Sequence, residues 1–159
     1  MKFWTSSLRA PLVCLTILLA AGTTARSEAP PPTGPVWVMR HGEDAGPERA
    51  LTERGKEQAA EAAATFRGVE RLTIWTSPRL RTRETAAIVH ARTPGSTLTV
   101  VDWLDHTQPF PANWWERLPA GPVLLVTHQP VVARILRDRN RPSAGIGHAF
   151  VARLDDPSP

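Results

Sequence analysis

The stretch Val36-Trp37-Val38-Met39-Arg40-His41-Gly42-Glu43 changes chemistry halfway along. Its first four residues are bulky and apolar, too few for a buried helix, and read as a strand covered on both faces. The next four are charged or flexible and read as the turn leaving that strand. The same grammar recurs twice. Leu72-Thr73-Ile74-Trp75 runs into Ser77-Pro78-Arg79-Leu80-Arg81, and the most hydrophobic run, residues 123–126, ends at Thr127-His128. Residues 97–101 and 150–154 read as two further strands.

Helical spacing fills the intervals between these strands. Leu51, Ala59, Ala62, Ala63 and Phe66 share one face of a helix over residues 51–66, with Thr52 as its cap and Gly68 after it. Ser77-Pro78 reads as the cap and first turn of a second helix reaching about residue 91. Pro130 opens a third, whose inner face carries Val131, Val132, Ile135 and Leu136. Residues 109–119, with Trp114-Trp115, are irregular. Strands alternating with helices over short loops imply an α/β fold, a three-layer α/β/α arrangement around a mostly parallel sheet.

Upstream of this domain the chain reads as an address. Residues 1–9 carry Lys2 and Arg9 and no acid, residues 11–21 (PLVCLTILLAA) are uncharged and mainly apolar, and small residues follow. That order describes a signal peptide over residues 1–25, and the apolar run is shorter than the roughly 20 residues of a membrane span. A proline-rich lead occupies residues 26–35, and the folded domain is expected over residues 36–155. The expected location is therefore periplasmic or secreted, with no stable membrane span after cleavage. The whole chain has 19 cations against 15 acids, a net +4. Lys2 and Arg9 leave with the signal, which halves that excess, and the remaining arginines form no run. Nucleic-acid binding is accordingly not expected. The one cysteine, Cys14, also lies in the signal. Without cysteines, a His-x-x-x-His pair or an acidic cluster, no metal site and no cofactor are expected.

The polar clusters after the strands carry the chemistry. In a parallel sheet, ligands bind beyond the carboxyl ends of the strands, so Arg40-His41-Gly42-Glu43, Arg81 and His128 should converge. Two of the clusters adjoin helix N-termini, which favour anions, and Arg40 and Arg81 offer forked donors. A phosphate suits such a place, and two histidines beside it supply a nucleophile and a donor. An imidazole between two guanidinium groups stays neutral and keeps a lone pair.

At these residues the sequence resembles the histidine phosphatase superfamily, whose fold is phosphoglycerate mutase-like. The resemblance rests on Arg40-His41-Gly42, on Leu51-Thr52-Glu53-Arg54-Gly55-Lys56-Glu57-Gln58-Ala59, on Ser77-Pro78-Arg79-Leu80-Arg81-Thr82-Arg83-Glu84-Thr85-Ala86, and on Leu124-Leu125-Val126-Thr127-His128. It implies a phosphomonoesterase acting through a phosphohistidine on His41, with Arg40, Arg81 and His128 binding the phosphoryl oxygens.

The proton donor matches least well. One branch of the family has an aspartate after the second histidine, where this chain has Gln129. Asp105 is the first expectation and Glu43 the alternative, with Asp102 and His106 also open. His90 and His148 lack polar company and read as structural. The expected partner is a small phosphorylated substrate, and exported members of the family suggest a lipopolysaccharide-core sugar phosphate. A catalytically inactive phosphate-binding or cell-envelope interaction protein of the same fold is the competing reading.

Overall fold

The computed structural model describes residues 32–46 and 49–155. The expected signal peptide, Cys14 and most of the proline-rich lead lie outside the described residues. Five strands, β1 (Val36–Arg40), β2 (Thr73–Thr76), β3 (Thr97–Val100), β4 (Val123–Thr127) and β5 (Val151–Arg153), form one sheet. Their spatial order is β3-β2-β4-β1-β5, with β5 alone antiparallel to its neighbour. Three helices complete the fold: α1 (Glu53–Ala62), α2 (Leu80–Arg92) and α3 (Gln129–Asp138).

Alternation along the central strands builds the three layers. Val36 and Val38 of β1, with Val123 and Leu125 of β4, pack with Val132, Ile135 and Leu136 of α3. Trp37, Met39, Leu124 and Val126 point the other way, into a core with Phe66, Ala86 and Val89 from the side of α1 and α2. Both faces are therefore covered, which is why β1 and β4 read as unbroken apolar runs. β3 is the outer strand and its residues are exposed.

The boundaries depart from expectation in two places. The helix expected over residues 51–66 is α1 followed by a 3-10 turn, Ala63–Phe66, that seats Phe66 in the core. Thr52 caps α1 as expected, accepting from Gly55 N at 3.0 Å. α2 starts at Leu80 rather than at Ser77-Pro78, although Ser77 Oγ does accept from Arg79 N at 3.3 Å just ahead of it. Its capping residue is Arg79, which forms no side-chain cap. Among the described residues no helix is long and apolar enough to cross a membrane.

The strand order gathers the three polar clusters. β4 lies between β1 and β2, so the residues leaving these strands meet at one end of the sheet. His41 N donates to Thr127 O at 3.0 Å, and Ser77 N donates to Val126 O at 3.2 Å. A glycine pair closes the loop after β1 against the start of α1. A Cβ on Gly42 would stand 2.3 Å from Gly55 O, and one on Gly55 would stand 2.0 Å from Glu43 O.

Candidate active site

Arg81, on the first turn of α2, links the two histidines. Its Nε donates to His41 Nε2 at 3.2 Å, and its NH2 lies 3.3 Å from His128 Nδ1. Arginine can only donate, so both of these ring nitrogens must accept. The proton of His41 therefore sits on Nδ1 and points to Gly42 O at 2.7 Å. That leaves the Nε2 lone pair facing the guanidinium group. His128 is fixed in the same way from behind. Its Nε2 donates to Ser77 Oγ at 2.9 Å, Ser77 donates to Thr82 Oγ1 at 3.0 Å, and Thr82 donates to Arg79 O at 2.7 Å.

Both rings are buried and neutral. Burial first, then the Arg81 cation, lowers His41 to about 4, against the opposing effect of the Gly42 carbonyl. Burial and Arg81 lower His128 to about 3, with His41 and His106 adding to the effect. Arg40 closes a further side. Its NH1 donates to Ile146 O at 3.0 Å, while its buried Nε has no hydrogen-bond partner among the described residues. Arg40, His41, Arg81 and His106 border two adjoining clefts, of about 200 Å³ and 360 Å³. The smaller adds His128 and the start of α3, the larger Asp44, Arg79 and Thr107. Forked donors and a helix N-terminus around a neutral imidazole suit a phosphoryl group.

Residues 36–108 match the family model for the histidine phosphatase superfamily (branch 1). Over that stretch the chain is similar to the histidine phosphatase superfamily. The matched stretch ends before His128, which the fold nevertheless sets beside His41, with ring centroids 5.4 Å apart. No curated protein matches the sequence. Among solved structures, a protein of Agrobacterium tumefaciens named for the phosphohistidine phosphatase SixA is similar, at 21% identity and TM-score 0.63, over 76% of this chain and 90% of its own. The protein histidine phosphatase SixA complexed with tungstate is 22% identical, with TM-score 0.60, over 75% and 86%. A mycobacterial glucosyl-3-phosphoglycerate phosphatase is 18% identical, with TM-score 0.56, over 76% and 89%. These likenesses show the phosphoglycerate mutase-like fold.

Within this domain the expected proton donors stand apart from one another. Asp105 is buried, and its Oδ2 accepts from Arg79 Nε at 2.6 Å. Burial would raise its carboxyl, but the Thr107 N–H and the Arg79 guanidinium outweigh that and hold it below the usual carboxylate range. Asp105 is thus a fixed carboxylate turned onto its own loop. Glu43 accepts from Thr52 Oγ1 at 3.0 Å, at the start of α1, and borders neither cleft. Asp102 is exposed and also borders neither.

Two residues at the site were not expected there. Asp44 Oδ2 lies 3.5 Å from His41 Nδ1 and 3.7 Å from Arg81 Nε. Its neighbourhood to His41 was a signal, but an unpatterned loop hid which carboxylate turns inward. His148, read as structural, stands with its ring 5.8 Å from that of His41 and its Nε2 3.4 Å from Arg40 NH2. The return of β5 along β1 brings it there. Asp105, His106 and His128 also have ligand atoms close enough to surround a cation. Their atoms are already committed, however. Arg79 and Thr107 hold Asp105, while Arg81 and Ser77 hold His128.

Proposed function

We propose that the protein is an exported, metal-independent phosphomonoesterase working through a phosphohistidine on His41. The observation that carries the reading is the forced tautomer of His41: Nδ1–H donates to Gly42 O, and the Nε2 lone pair lies against Arg81. Nε2 attacks phosphorus and the ester P–O bond breaks, its electron pair leaving on the alcohol oxygen. Water then attacks the phosphohistidine, and the P–N electron pair returns to His41. Arg40, Arg81 and His128 hold the phosphoryl oxygens, and such aimed donors carry most of the catalysis in phosphoryl transfer.

The names of the similar structures support phosphoryl chemistry of this kind. Export is supported by the charged, apolar and small-residue order of residues 1–25. An exported enzyme meets envelope phosphoesters, so a lipopolysaccharide-core sugar phosphate is the substrate class we assign. The mature protein should hydrolyse p-nitrophenyl phosphate in the presence of a chelator, and His41→Ala should abolish turnover. Acid-labile, alkali-stable label should be trapped on the parent protein from a radiolabelled ester. An inactive parent, or full activity in His41→Ala, would sink the reading. Chelator-sensitive turnover would overturn the metal-free chemistry, and a full-length chain retained uncleaved in the cytoplasm would overturn export.

A further inference from the structure

We propose that His106, held by the Asp105 carboxylate, protonates the leaving oxygen and later takes a proton from the attacking water. The inference rests on the phosphatase reading above and names the residue that completes it. Asp105 Oδ1 lies 3.2 Å from His106 Nδ1 and accepts from Thr107 N at 3.1 Å, while Arg79 secures Oδ2. A buried carboxylate anchored in this way faces Nδ1 of the ring and fixes its orientation. Nε2 is then the ring atom left for a substrate. His106 borders both clefts, with its ring centroid 4.6 Å from that of His128.

The other ionisable groups around the cleft have different attachments. Asp44, from the loop after β1, is held between His41 Nδ1 at 3.5 Å and Arg81 Nε at 3.7 Å. Arg40, Arg79 and Arg81 stay charged and bind anions rather than pass protons. His128, ahead of α3, is occupied on both nitrogens. His148 faces Arg40. In the first step the P–O electron pair departs with the oxygen, and the His106 Nε2 proton joins it to release the alcohol. His106 is then a neutral base. It accepts a proton from water as the new P–O bond forms and the P–N bond breaks, and inorganic phosphate leaves.

The test compares a poor and a good leaving group on the mature protein. General-acid catalysis contributes about 10²- to 10⁴-fold, and an ester whose leaving group is already stable as an anion needs little of it. His106→Gln should therefore lower kcat/KM for glycerol 2-phosphate by at least about 100-fold, and for p-nitrophenyl phosphate by less than about tenfold. Asp105→Asn, which leaves the ring unheld, should show the same dependence on the leaving group: a loss on glycerol 2-phosphate and little on p-nitrophenyl phosphate. Equal losses on both esters, or no loss on either, would overturn the role of His106. Unchanged turnover of glycerol 2-phosphate in Asp105→Asn would overturn the holding role of Asp105. A parent inactive on both esters would instead take down the phosphatase reading itself. The His106 side chain is 35% exposed, so the substitution leaves the core intact, and an unchanged melting temperature checks this.

Discussion

Replacing Arg81 by lysine and by alanine separates the two things that this side chain supplies. The guanidinium reaches His41 Nε2 at 3.2 Å and His128 Nδ1 at 3.3 Å, and only 11% of the side chain is exposed. Two separate nitrogens of one rigid fork make these contacts, and the same fork can span two oxygens of a phosphoryl group. Hydrogen bonds from a charged donor contribute about 1.5–3 kcal/mol each, so losing both removes about 3–6 kcal/mol, or roughly 10²- to 10⁴-fold in rate. Arg81→Ala should therefore lower kcat/KM for an aryl phosphate by about 10³-fold, near the middle of that span. Lysine keeps the charge but offers one nitrogen, and loss of one aimed donor costs about 10²- to 10³-fold. The pH dependence divides the cases further. Arg81 lowers both His41 and His128, so its removal raises both, and the acid limb of kcat/KM should move to higher pH in Arg81→Ala. In Arg81→Lys that limb should stay. An Arg81→Lys variant within threefold of the parent would refute the fork, and an unmoved acid limb in Arg81→Ala would refute the electrostatic assignment.

Two further outcomes follow from the same geometry. With His41 near 4 in the folded protein, kcat/KM should hold from neutrality down to about pH 5 and fall towards pH 4; half-loss near the ordinary histidine value of about 6.5 would contradict this. Over that interval the unfolded chain binds more protons than the folded one, so the melting temperature should drop as pH falls from about 6.5 towards 4. Gly55→Ala should destabilise by more than about 3 kcal/mol and impair activity, because its Cβ would stand 2.0 Å from Glu43 O. Gly68→Ala, with open space around the Cβ but a φ of +77°, should cost only about 1–2 kcal/mol, and comparable losses at the two glycines would undo the close-packing argument.

The sheet was legible because β1 and β4 are buried on both faces, which leaves an apolar run that no surface element shares. The three polar clusters were legible for the related reason that each follows a strand at once. Strand order was not. Nothing in residues 123–127 announces that β4 inserts between β1 and β2, since pairing partners are chosen by packing between distant segments. The start of α2 falls later than Ser77-Pro78 suggests: Ser77 Oγ accepts from Arg79 N in the turn ahead of the helix and also meets His128 across 51 positions of sequence, a contact that no local pattern announces. Asp105 and His106 were both visible as candidates. Which of two neighbours faces the cleft depends on the turn after Asp102–Leu104, and periodicity says nothing about a turn of that length.

The arginines and histidines divide the electrostatic work in a way that suits a dianion. Guanidinium groups keep their charge at any working pH, so Arg40 and Arg81 attract phosphate without surrendering a proton. The imidazoles bear no such charge while the site holds only protein, because burial and the nearby cations oppose it. A phosphoryl dianion lying between Arg81 and His128 reverses that balance for His128, since an adjacent negative charge favours the protonated ring. His41 is different. In the proposed reaction its Nε2 becomes bonded to phosphorus, while its proton stays on Nδ1, hydrogen-bonded to Gly42 O. The proposed chemistry thus keeps one histidine as a nucleophile while the other is free to gain charge as the phosphoryl group arrives. The Ser77–Thr82 chain makes this possible by accepting the Nε2 proton of His128, so that any added proton must enter at Nδ1, the atom beside Arg81.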